Sequence, residues 1–122
     1  MGREIGICTS CHVVCRESDA EARAYYRHYA ADNADTGALD FHMGMSRAQR
    51  QEDARALRDR VRHAAGLSSF PLVGTPERVA EGLVDIARLG FAGTTLSFVN
   101  FKTELPYFIE RVLPLLVQAG VR

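Results

Sequence analysis

Residues 70–83, FPLVGTPERVAEGL, pass from strand to cap to helix in a single stretch. Leu72 and Val73 form the apolar centre of a short strand expected over 67–74. Thr75 stands at an N-cap position, where its hydroxyl accepts from a backbone N–H of the first turn. Pro76 occupies the first helical position and Glu77 follows in the first turn, both favourable there. Val79, Leu83, Ile86 and Ala87 then recur at helical spacing and give the helix one apolar face. Gly90 is the expected left-handed stop.

The same alternation extends in both directions. Residues 4–15, EIGICTSCHVVC, read as a strand, apolar enough to be covered on both faces. Ser18 and Glu21 make a capping box, and the helix they open carries small residues (Ala20, Ala22, Ala24) with Tyr26 and Tyr29 as aromatic anchors, fading near Asn33. Residues 33–45 show no period and read as a loop. Ser46 with Gln49 caps a polar, Arg-rich helix over 47–65, whose apolar stripe is limited to Leu57, Val61 and Ala64 or Ala65, and Gly66 ends it. Downstream, residues 93–99 read as a further buried strand, with Asn100 and Phe101 at its C-terminal end. A last helix capped by Thr103 is expected to reach about Ala119, with Pro106 harmless in its first turn and Pro114 kinking it. Strands alternating with helices predict an α/β fold with parallel strands. About three βα units fit the C-terminal part of a (β/α)8 barrel; a small three-layer α/β sheet is the alternative. A whole barrel needs about 250 residues, so 1–122 would be a single partial domain, with 33–66 as a loop plus an inserted helix. Residues 4–15 and 93–99 are the expected sheet edges.

Composition limits the functional classes. The chain has 122 residues, 47% of them hydrophobic, and 15 basic against 15 acidic side chains, for a formal net charge of zero. That balance does not point to nucleic acid or an anionic membrane as partner. No apolar run suits a membrane span and no signal-peptide pattern opens the chain, so the cytoplasm is the expected compartment. Cys8, Cys11 and Cys15 are an odd set for a disulfide framework. Cys8-x-x-Cys11 beside His12 invites a metal reading. On a strand, however, Cys8 and Cys11 point to opposite faces and Cys11 and Cys15 lie about 13 Å apart. No second ligand pair follows at finger spacing, so buried structural thiols are expected and no metal is assigned.

Three stretches carry a family resemblance: HVVCRESDAEA (12–22), FPLVGTPERVAEGL (70–83) continuing to Gly90-Phe91, and TLSFVNF (95–101) with Leu105-Pro106 and VLPLL (112–116). In that order they resemble the last part of the bacterial-luciferase-like flavin-dependent monooxygenases, nearest to the branch acting on alkanesulfonates, dimethyl sulfone or pyrimidines. The V-G-T-P-E-x-V-A segment is the most specific. The resemblance implies a (β/α)8 barrel that uses reduced FMN (FMNH2) and O2 on a small organic substrate, with the flavin supplied by a separate reductase. This chain would be an oxidoreductase segment, inactive alone, partnered by the missing barrel half or by itself. The competing reading is a stand-alone α/β module that binds a ligand or a partner without redox chemistry.

Catalytic groups of such barrels lie at the C-terminal ends of strands. Alkanesulfonate-type relatives place an Arg-x-His pair ahead of the H-V-x-x-R-E segment. Here the His matches His12 and the Arg position is Ser10, which weakens the case for a sulfonate substrate. The resemblance makes His12 the catalytic acid–base group and Ser10 a cofactor contact; a hydrogen-bonded core histidine is the alternative. Ser97, Asn100 and Phe101 close the last strand and are further cofactor contacts by resemblance. Asn100 can equally cap a turn, and Phe101 stands where relatives often have Tyr. Thr75 at a helix N-terminus is a candidate phosphate contact, or a plain cap. Residues 66–70 match a mobile, glycine-richer loop of relatives, and Leu67-Ser68-Ser69 departs from that pattern.

Overall fold

A computed structural model describes residues 2–3, 5–44 and 54–121. In chain order it contains β1 (Cys8–Cys15), α1 (Asp19–Arg27), a π-turn (His28–Asp32), α2 (Thr36–His42), α3 (Ala54–Gly66), β2 (Phe70–Gly74), α4 (Pro76–Arg88), β3 (Gly93–Ser97), α5 (Phe101–Arg111) and α6 (Leu113–Gln118). The three strands form one parallel sheet in the order β2-β1-β3. The expected α/β fold with parallel strands is what forms.

Strand β1 is central, not an edge; β2 and β3 are the edges. The two ladders are staggered. β3 pairs along the first part of β1, from Cys8↔Gly93 to His12↔Ser97, and β2 along the last part, from Cys11↔Phe70 to Cys15↔Gly74. Only residues Cys11–Cys15 of β1 are buried. Ile5 and Ile7 lie outside both ladders and are 83% and 64% exposed. The strand therefore starts four residues later than its apolar sequence suggests, because pairing partners begin at Cys8.

Alternation along β1 separates two environments. Cys11, Val13 and Cys15 join Leu72, Val79, Ala80, Leu83, Phe98, Phe108, Val112 and Leu116 in one apolar core beneath α4, α5 and α6. His12 faces the other way, toward Tyr29 of the π-turn, and an added Cβ on Gly66 at the end of α3 would meet its ring at 2.8 Å. Cys8 is exposed, contrary to the expectation of three buried thiols, since it sits at the open start of the strand.

Local signals place the helices. Ser18 accepts from Glu21 N (3.2 Å) and Thr75 from Arg78 N (3.4 Å), as N-caps do. Gly90 ends α4 with φ +91°. Three expectations need correction. The stretch read as a loop over 33–45 contains α2, capped by Asp35, which accepts from Ala38 N at 2.9 Å. The final helix is capped by Asn100 and not Thr103. Pro114 does more than kink it: the chain breaks at Val112 into α5 and α6, because Pro114 has no N–H for the Glu110 carbonyl and its ring collides with it. The expected cap of Ser46 and Gln49 lies outside the described residues.

Candidate functional site

A cavity of about 840 Å³ opens on the His12 face of the sheet. Its wall takes Ser10 and His12 from β1, Tyr29 from the π-turn, Arg62 from α3, the turn 66–69, and Ser97 with the residues after it from β3. Two residues apart on one strand, Ser10 and His12 share this face. The β1–β3 register sets Ser97 directly opposite His12. The turn that follows α3 is unusual. Leu67 and Ser68 both hold left-handed backbones, at φ +51° and +65°, a conformation that costs a non-glycine residue of order 1 kcal/mol or more and concentrates at functional sites. The turn brings Ser69 Oγ to 2.9 Å from Ser10 Oγ.

His12 is the centre of the wall. It is only 3% exposed, and both ring nitrogens are engaged: Nδ1 lies 2.9 Å from Ser97 Oγ and Nε2 lies 2.6 Å from Tyr29 Oη. Two tautomers satisfy both contacts. With the proton on Nδ1, Ser97 Oγ accepts from it, the Tyr29 hydroxyl donates to Nε2, and the single Ser97 hydroxyl proton is left for the Cys11 carbonyl at 3.4 Å; with the proton on Nε2, Tyr29 Oη accepts and the Ser97 hydroxyl donates to Nδ1. Burial pushes the His12 pKa below its ordinary 6.5, against a smaller upward pull from the Glu104 carboxylate. Burial likewise raises the Tyr29 phenol, so it keeps its proton. At neutral pH the unit is uncharged and links Tyr29, His12, Ser97 and the Cys11 carbonyl.

The other residues singled out in the sequence lie elsewhere. Asn100 Oδ1 accepts from Lys102 N at 3.1 Å and caps α5. Phe101 packs edge-on against Phe98 at 5.3 Å between ring centroids. Thr75 caps α4, and its own N–H donates to Asp19 Oδ1 at 3.2 Å. None of the three lines the cavity. Conversely, Tyr29 and Arg62 line it without having stood out in the sequence. Tyr29 had looked like a packing residue, seven positions after Ala22, and a π-turn leaves no periodic signature to suggest otherwise.

Below the sheet's C-terminal end a second polar cluster is structural. Arg16 donates to Glu104 Oε1 at 2.7 Å and its guanidinium lies 4.1 Å from the centroid of the Tyr25 ring, while Glu104 Oε2 accepts from Asn100 N at 2.8 Å. This clasp ties the end of β1 to the start of α5. Among the described residues no group of three or more His, Cys, Asp or Glu side chains is placed to hold a metal ion. Cys11 is instead occupied as a weak acceptor from Thr94 Oγ1 at 3.2 Å. No helix among the described residues is long and apolar enough to cross a membrane.

The lining suits an amphipathic ligand. Ser10, Ser68, Ser69 and Arg62 share it with Leu67, Phe70, Phe98 and Val99, and its volume is in the range of small-molecule sites.

The family profile of luciferase-like monooxygenases matches residues 1–93. Pyrimidine monooxygenase RutA of Escherichia coli O6:H1 is 33% identical over 95% of this chain and 30% of its own length. The RutA of Cronobacter sakazakii is also 33% identical, over 94% of this chain and 35% of its own. A crystal structure of riboflavin lyase with modified FMN and the substrate riboflavin superposes with a TM-score of 0.68 at 25% identity, covering 96% of this chain and 32% of that one. The chain thus spans about a third of the length of the relatives it matches.

Proposed function

The chain belongs to the luciferase-like monooxygenase family, as a segment of its (β/α)8 barrel, and on that basis we propose that it forms part of the active-site wall of a cytoplasmic, reduced-FMN-dependent monooxygenase acting with O2 on a small organic substrate. The observation that carries this reading is the His12 cavity. The histidine that the family resemblance singles out lines a cavity of about 840 Å³ whose wall mixes serines, Arg62 and apolar residues. A flavin has the same mixture of an apolar ring system and a polar, anionic tail.

Bound there, reduced flavin supplies the electrons and activates O2. The chain's own residues do simpler work. Ser10, exposed and joined to Ser69, offers a hydroxyl to the cofactor side of the cavity, and Ser97 lines the cavity while holding His12 Nδ1. Phe98 and Val99 exclude water from it. His12, uncharged and held from both sides, exchanges protons with the cavity through its hydrogen-bond partners, and a positioned acid–base group contributes about 10² to 10⁴ in rate. Asn100, Phe101 and Thr75 have capping and packing roles in this reading. The absence of an arginine at Ser10 favours an uncharged substrate over a sulfonate. The remaining walls come from the rest of a barrel, or from another chain docked on the open edges of β2 and β3, and a separate reductase provides the FMNH2.

The test joins this chain to the first two thirds of a pyrimidine monooxygenase and compares turnover with and without His12→Ala. Turnover should fall by about 10²-fold or more, while the chain alone leaves the oxidation of reduced FMN by O2 at the free-flavin rate. A His12→Ala chimera that loses stability yet turns over normally once folded would remove the catalytic assignment and leave His12 a core residue.

A further inference from the structure

The polar side chain in shortest contact with His12 is a residue nothing in the family resemblance points to. Tyr29 sits in the one π-turn among the described helices, His28–Asp32, closed by Asn33 N–H to His28 O at 3.0 Å. Single π-turns inside helices recur at functional sites, where the extra residue re-aims a side chain. The Tyr29 hydroxyl makes the shortest contact in the site, 2.6 Å to His12 Nε2. Its ring stands edge-on to the imidazole, at 5.9 Å, and edge-on to Tyr26, at 5.8 Å, with Tyr25 tilted at 5.3 Å. Three aromatic neighbours therefore fix the ring. Tyr29 also lines both the His12 cavity and a smaller one of about 280 Å³ between the π-turn, α2 and α3.

We propose that Tyr29 is a positioning residue that fixes His12 in its Nδ1–H tautomer and forms the sole proton path between the cavity and His12 Nε2. In that tautomer the other nitrogen is committed: Nδ1–H donates to Ser97 Oγ at 2.9 Å and the Ser97 hydroxyl is directed to the Cys11 carbonyl at 3.4 Å, so that side ends on the backbone of β1. A proton entering from the cavity passes to the Tyr29 oxygen while the Tyr29 hydroxyl proton passes to Nε2. The result is an imidazolium and a neutral phenol, and the return path reverses it. The groups facing His12 from the surrounding elements are few: Tyr29 from the π-turn, Arg62 from α3 along the cavity wall, and Glu104 from α5, already paired with Arg16. The catalytic meaning of the path rests on the proposed flavin site, but the path itself does not.

The experiment is side-chain ¹⁵N NMR of the histidines in the chain as it stands, with no flavin present. His12 should show one protonated nitrogen, Nδ1, and one acceptor nitrogen, Nε2, with a Tyr hydroxyl proton protected from exchange and close to the His12 ring. Tyr29→Phe, which keeps the ring, should mix the two tautomers and move the His12 titration midpoint upward, since a donor to the neutral form is lost. Ser97→Ala should instead release Nδ1. An unchanged tautomer and midpoint in Tyr29→Phe overturns the proposal. If that variant does not fold, a wild-type spectrum with the proton on Nε2, or with no protected Tyr hydroxyl near His12, overturns it equally. Failure of the flavin-binding or turnover experiments leaves all of these readouts untouched.

Discussion

Two faces of one strand carry opposite kinds of order. On one side of β1, Cys11, Val13 and Cys15 pack into the apolar core, and burial pushes the Cys15 thiol up to about 11. On the other side, one residue out of step, Ser10 and His12 meet hydroxyls, a phenol and a strained turn. The apolar face is held by non-directional burial, which tolerates small shifts. The polar face is held by a few directional bonds, each of which must be satisfied because the imidazole is buried. Stability should therefore concentrate on the first face and chemistry on the second.

The largest expected effect tests the apolar face. Phe108 is 5% exposed and packs edge-on against Phe98 at 5.7 Å between ring centroids. Truncation to alanine should cost about 3–5 kcal/mol in denaturant unfolding, with little change in the His12 tautomer among the molecules still folded. If Phe108→Ala costs under 1 kcal/mol, the core does not lie where the apolar cluster places it.

A smaller effect tests the polar face through pH. The folded His12 pKa lies below the unfolded value near 6.5, because burial disfavours the imidazolium. Between those two values the unfolded chain binds the proton more readily, so stability rises with pH. That contribution is complete above about pH 6.5 and is lost as pH falls toward the folded pKa. Unfolding midpoints of the wild type and His12→Gln, measured from about pH 5 to pH 8, should differ most at the alkaline end and converge on acidification. The three other histidines contribute equally to both proteins and cancel. A difference that grows as pH falls would mean His12 is charged in the fold.

The contrast between the faces also explains what the sequence disclosed. Elements marked by local chemistry were legible: Ser18 and Thr75 as caps, Pro76 at its helix start, Gly90 as a stop, and the alternation that puts Ser10 and His12 on one side of β1. Features set by long-range pairing were not. Nothing within residues 4–15 shows that both neighbouring strands pair with this one, making it central, or that pairing begins only at Cys8. Helix α2 was missed because Gly37 weakens the helical signal, although Asp35 offered a cap. Asn100 precedes Thr103 as the cap because its N–H is held by Glu104, a bond that also depends on the clasp to Arg16. Within the site, His12 stood out through the family resemblance, and Ser97 sits opposite it by register. Tyr29 and Arg62 reach the cavity through helix geometry that no short motif encodes.

The central claim is that the polar face of β1 is a flavin-facing wall, and amide chemical-shift mapping of the ¹⁵N-labelled chain during addition of FMN tests it most directly. The account predicts that the perturbed amides cluster at Ser10, His12, residues 66–69 and residues 97–99, with α4 and α6 unaffected. Perturbations confined to the α4–α6 side, or none at any FMN concentration the protein tolerates, would contradict it.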